Sequence, residues 1–312
     1  MERTFKDRLA ESLVPLVVAL ACAAAAWSAG PMTDPWHWGG LAATVAVAYA
    51  IHKVCSVNSV IPLRTWMTAA VLLLLAAMCT FAHRGDVTLG GALCYAVSLH
   101  FLFQSYQQYY AERWVFQAFL FLGLACLTLP PLYLLAPLYL LSMFVQLGSL
   151  TLRSLLAAMF GLFIPLEFYA GVLLLTGNTE PLLLLWQQLT AFAPTAIAEW
   201  PLQPAVSFLL VALLFSVAAI HYAYTNYNDK IRPRMFNYVL ISQSALLLAL
   251  LLLQPHHYVR LTPFILVAVS PVVARYFALG RGRWALFFFL LGTLLLMGAT
   301  VFNLWSQSLN FL

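Results

Sequence analysis

The stretch RSLLAAMFGLFIPLEFYAGVLLL, residues 153–175, decides the fold. Beyond Arg153 its only charged side chain is Glu167, and no turn-forming cluster interrupts it. As a helix rising about 1.5 Å per residue, residues 154–175 extend about 33 Å, enough to cross a hydrocarbon core about 30 Å thick. A soluble domain has no use for so long an apolar run. The whole chain shares this texture: of 312 residues, 63% are hydrophobic and only 8% charged. Soluble domains carry about 25% charged residues, and so few charges cannot cover a water-facing surface.

Outward from this run, similar segments fall at 12–29, 39–54, 65–82, 89–108, 114–129, 132–149, 204–223, 236–253, 261–277 and 284–304. With 154–175 they predict an all-α, polytopic transmembrane bundle of about 11 spans. Residues 1–312 form a single transmembrane domain. The arms 114–129 and 132–149 are short and joined by Pro130 and Pro131, so they are either two crossings or one re-entrant hairpin. Residues 176–203 contain NTEPLLLLWQQLTAF, in which Asn178 or Thr179 can cap a helix opened by Glu180 and Pro181. That helix is too short to span, and is expected to lie at the outer interface with Trp186 as anchor. The charged start followed by an apolar run reads as a retained first helix, not a cleaved signal peptide.

Lysine and arginine set the expected orientation. With a cytoplasmic N-terminus, Arg3, Lys6, Arg8, Lys53, Arg64, Arg113, Arg153, Lys230, Arg232, Arg234, Arg275, Arg281 and Arg283 share one side. Only Arg84 and Arg260 fall on the other. The C-terminus is then extracytoplasmic, in a bacterial inner membrane. The net charge of +5 comes from scattered topology-setting residues, which excludes a nucleic-acid partner as the reason for it.

The two exceptions direct attention to the outer loops. PMTDPWHW supplies Asp34, FAHRGDV supplies Arg84, and QPHHYVRL supplies His256, His257 and Arg260. Arginine grips phosphate through its planar fork, and Asp34 is placed to act as a general base. Ordinary loop polarity explains the same residues without chemistry, since water-exposed connections need polar side chains. Glu167 lies in the outer part of a span, two residues after Pro165, where an acid is a functional candidate by default. It is expected to face the same outer cavity as Asp34 and Arg260. His100 falls near mid-membrane, with Gln104 and then Gln107 or Gln108 following at helical spacing, which suits either a polar path or interhelical hydrogen bonds.

Cys22, Cys55, Cys79, Cys94 and Cys126 form no C-x-x-C pair and read as packing residues. No phosphate-binding loop, dinucleotide fingerprint or zinc motif occurs, so neither a cofactor nor a metal is expected.

The segments ERWVFQAFLFLGLACLTLPPLYLLAPLYLLSMF, RSLLAAMFGLFIPLEFYAG and SPVVARYFALGRGRW resemble an uncharacterised family of multi-pass bacterial inner-membrane proteins. Asp34 in PMTDPWHW, the short paired spans and the interfacial helix are also similar to GT-C class membrane glycosyltransferases. That resemblance implies a polyprenyl-linked saccharide as substrate, with Asp34 as catalytic acid residue of the first outer loop. The loop here has about nine residues, where that class carries a longer one. Three functions stay open: a GT-C-like transferase or its relic, a non-catalytic membrane subunit of an envelope assembly, and a transporter. The partners they imply are a membrane lipid or lipid-linked saccharide, and another membrane protein.

Overall fold

The computed structural model describes residues 10–30, 34–83, 85–177, 180–190, 192, 200–280 and 283–310. Among them every regular element is helical: α1 (Val14–Ser28), α2 (Pro35–Val57), α3 (Met67–Met78), α4 (Val87–Gln104), α5 (Glu112–Thr128), α6 (Leu135–Ser142), α7 (Leu152–Thr176), α8 (Glu180–Thr190), α9 (Leu202–Thr225), α10 (Ile231–Leu253), α11 (Tyr258–Leu279) and α12 (Arg283–Asn310). Among the described residues eight helical runs are long and apolar enough to cross a membrane, which makes this a polytopic membrane protein. They are α2, α4, Pro130–Leu147, α7, α9, α10, Pro255–Leu279 and Phe287–Ser306. The other three apolar runs of the sequence form shorter helices, α1, α3 and α5, of 15, 12 and 17 residues.

The bundle has two polar ends. At one, His37 Nε2 donates to Trp27 O (2.9 Å), His83 stacks on Trp27 with centroids 3.5 Å apart, and Trp200 Nε1 donates to Pro255 O (3.3 Å). We call this the Asp34 end. At the other, the Arg275 end, Asn58, Thr65, Gln107 and Asp229 make the connections. Thr65 Oγ1 donates to Ala10 O at the Arg275 end, whereas Asn303 Nδ2 donates to Met78 O at the Asp34 end. The described chain therefore starts at one end and finishes at the other. Of the lysines and arginines with described side chains, only Arg260 sits at the Asp34 end.

The proline-joined pair runs the full height. Ser98 Oγ, in the middle of α4, donates to Ala118 O of α5 (2.7 Å) and accepts from Tyr139 Oη of α6 (3.0 Å). The return arm then reaches the Arg275 end, where Gln107 N donates to Leu147 O (2.8 Å) and Ser105 meets Ser149 (3.1 Å). Its opposite tip, Pro130–Leu134, packs under α8 at the Asp34 end. Gln254 Nε2 holds the last turn of α8 through Gln188 O (3.3 Å) and Leu189 O (3.1 Å).

α11 is the hub. It packs against α2, α3, α4, α9 and α10, and 94% of its apolar window is buried. A helix apolar on every side must be surrounded by protein or lipid, and here protein surrounds it. α7 is the opposite case, with 17% of its window buried. Ser154, Ala158, Gly161 and Pro165 form its inner face, which lies on α5. These small residues let the two backbones approach, the usual way membrane helices gain contact without a hydrophobic driving force. A Cβ at Gly161 would stand 2.5 Å from Phe116 O and 3.1 Å from Leu120 N, both backbone atoms of α5. Gly161→Val is therefore expected to lower stability by about 1–3 kcal/mol, since the clash is with atoms that cannot rotate away. Thermal unfolding in detergent, compared with Gly298→Val on α12, where a Cβ meets nothing within 4 Å, measures it.

Candidate functional site

Two aspartates open helices at the Asp34 end. Asp34 sits in extended backbone ahead of Pro35, and its Oδ1 accepts from Trp36 N (3.0 Å). Asp86 does the same for α4, with Oδ1 accepting from Val87 N (2.7 Å). Each satisfies an amide that the first turn would leave unpaired, and each places a carboxylate at the positive end of a helix dipole. Among the described residues neither Oδ2 has a hydrogen-bond or ion-pair partner.

Between these helix starts and α11 lies a cavity of about 740 Å³. Trp36, Ala43, Val87, Leu89, Val259 and Pro263 give it apolar walls, and Asp86 is the carboxylate among its lining residues. Gly85 approaches α2 so closely that a Cβ there would clash with Trp36 O. Below the cavity a void of about 30 Å³ shares Ala82, Leu89 and Pro263 with it. Trp27 lines this void, and its buried Nε1–H has no acceptor among the described residues.

The residues singled out in the sequence do not all converge here. Asp34 belongs to the same corner, two residues before Trp36. Arg260 is exposed on the first turn of α11, next to Val259 in the cavity wall. Of the adjacent histidines, His256 is exposed and His257 half-buried, and neither lines the cavity. Arg84 lies outside the described residues. Glu167 does not turn inward: it is exposed on α7, which packs against α5, whereas the helix headed by Asp34 packs against α1, α3, α4 and α11. The reason is angular. Pro165 faces α5, and two residues further along a helix is about 200° around it, so Glu167 points away from the bundle.

His100 is also displaced from its expected mid-membrane position. α4 stops at Gln104, leaving His100 one turn from the Arg275 end. Asn58 Nδ2 donates to Val54 O (2.8 Å) and His100 Nδ1 (3.4 Å), and Asn58 Oδ1 accepts from Gln104 Nε2 (3.3 Å). This is an interhelical clamp. Deeper polar groups pair likewise: Tyr95 Oη donates to Gln243 Oε1 (2.6 Å). Among the described residues no three His, Cys, Asp or Glu side chains group as a metal site requires.

Sequence reasoning missed the polar pocket at the Arg275 end. Its volume is about 510 Å³, and His221, Tyr222, Thr225, Asp229, Arg275 and Tyr276 line it. Arg275 Nη2 donates to Asp229 Oδ2 (2.5 Å), Nη1 donates to Val60 O (3.4 Å), and the guanidinium lies 4.9 Å from the Tyr222 ring centroid. The available signal was Asp229 among the cations Lys230, Arg232 and Arg234.

The chain matches no family model, no curated protein and no solved structure. The fold and site geometry define its class, a polytopic α-helical membrane protein, and its function must be argued from the site.

Proposed function

We propose that the protein binds an amphipathic lipid of the polyprenyl-linked saccharide class in the cavity at the Asp34 end. The observation that carries this is the cavity's division into an apolar wall and a carboxylate rim at the level where helices begin. An isoprenoid chain suits the surfaces of Trp36, Ala43, Leu89 and Pro263. Its phosphate suits Arg260, and sugar hydroxyls suit Asp86 Oδ2. The bias of basic residues toward the Arg275 end supports reading the Asp34 end as extracytoplasmic, the side where such lipids present their saccharides. For glycosyl transfer at this site, Asp86 is the base that would take the acceptor's hydroxyl proton, with polyprenyl phosphate leaving. This moves the catalytic role from Asp34 and Glu167 to a residue lining the cavity.

Filling the cavity tests the binding. Gly39 lines it, and a Cβ at that position meets nothing within 4 Å. Gly39→Phe should intrude on ligand space without disturbing packing, and replacing a helical glycine by phenylalanine favours the helix by about 0.3–0.5 kcal/mol. A photoreactive polyprenyl phosphate is expected to label the wild type on α2, α4 or α11. Gly39→Phe should label at least about tenfold less, equivalent to about 1.4 kcal/mol, with an unchanged or higher Tm. Equal labelling of both proteins would rule the cavity out as the lipid site.

A further inference from the structure

We infer that α7 is a dimer interface, on which a second copy of this chain packs with the two Glu167 carboxyl groups hydrogen-bonded to each other. The outward face of α7 carries Leu156, Phe160, Phe163, Glu167, Gly171 and Leu174. Their spacing of four, three, four, four and three keeps them on one face of the helix. The side chains of this face are exposed, with Phe160 at 64% and Leu174 at 65%. At Gly171, one turn beyond Glu167, a Cβ would meet nothing within 4 Å, so the surface there admits a close neighbour.

Lipid alone would cover the apolar members of this face. It does not suit Glu167. α7 has 25 residues, and Glu167 lies about 4.5 Å from its midpoint at 1.5 Å per residue. Among the described residues it has no hydrogen-bond or ion-pair partner. An acid facing hydrocarbon at that depth is costly, and acids so placed pair with another polar group. A second copy in the same membrane, related by a two-fold axis along the membrane normal, brings its own Glu167 to the same depth. The contact is isologous, as in most homo-oligomers. Carboxyl groups suit it, because each can donate one hydrogen bond and accept one. No bond is made or broken other than these. Charge complementarity with a different partner would need a cation at the same depth, whereas self-pairing needs only what this chain carries.

The full-length protein, fluorescently labelled and reconstituted in lipid vesicles at varied dilution, gives the association constant by stepwise photobleaching. The wild type is expected to be dimeric at low protein-to-lipid ratios. Glu167→Leu should weaken association at least tenfold. It should stay folded, because leucine suits a lipid-facing position. Glu167→Gln should retain most of the dimer, since an amide also donates and accepts. A monomeric wild type at every density, or a Glu167→Leu protein that dimerises as well as the wild type, overturns the inference; in the first case lipid or a different protein covers the face.

Discussion

Arg275→Met is expected to destabilise the folded protein by about 3–5 kcal/mol, the cost of breaking a buried ion pair by removing one partner. Arg275 stands one turn before the end of α11 and is 7% exposed; the Asp229 side chain is 10% exposed. Methionine matches the length of the arginine stem, so packing is largely kept. What is lost is the charge that answers Asp229, the hydrogen bond to Val60 O and the contact with the Tyr222 ring. The carboxylate is then left in a largely buried site without its cation. The adjoining cavity of about 510 Å³ gives water some access, which pulls the effect toward the lower bound. Replacing both partners should recover much of the loss, since two apolar side chains leave no unpaired charge. Denaturant unfolding of the wild type, Arg275→Met, Asp229→Leu and the double variant gives the coupling directly. A single-variant cost under about 1 kcal/mol would mean the pair is solvated and holds nothing together.

That ion pair also marks where the sequence stops being readable. Arg275 looks like a loop cation because Gly280 and Arg281 follow it closely. α11 instead continues to Leu279, and the guanidinium folds back onto loops at the same end. Its partner is 46 residues away in the chain, and no local pattern encodes a pairing at that distance. The helical architecture was legible for the opposite reason. Long apolar runs are a local property, and the bilayer thickness converts run length into structure. Even there, ends slip: α4 stops at Gln104 because the chain turns with Gln107 at φ 54°, which leaves His100 near the Arg275 end.

The candidate site was half legible. Asp34 is followed by proline, and an Asp-Pro step before an apolar run announces a helix start. The same logic applies to Asp86 ahead of Val87. Sequence could therefore identify both as caps, but not which one lines a cavity, since that depends on how α2, α4 and α11 meet. Glu167 was legible as an intramembrane acid and misread in direction. One residue's shift along a helix is 100°, so depth along the axis can be counted while azimuth needs the packed face. Here that face is known only once Gly161 and Pro165 are seen against α5.

Acidification should unsettle the Asp34 end through His83. This imidazole is 5% exposed, stacks on Trp27, and donates from Nε2 to Ala76 O (3.1 Å). Burial, reinforced by the charge of nearby His37 and opposed by backbone hydrogen bonds, lowers its pKa from 6.5 to about 4. The folded protein therefore holds His83 neutral at pH values where the unfolded chain already binds a proton. The associated stability is fully present above pH 6.5. It declines as pH falls and is lost once pH passes about 4, for a total of about 3 kcal/mol. At pH 5 roughly 2 kcal/mol should be missing relative to pH 7.5. His83→Gln retains an N–H donor for Ala76 O but does not titrate. The variant should be less stable than wild type at neutral pH, because it loses the stacked ring, yet flatter between pH 7 and pH 4.5. Parallel slopes for the two proteins in detergent-solubilised unfolding would show that His83 is protonated freely in the folded state and that its burial against Trp27 does not discriminate between the two forms.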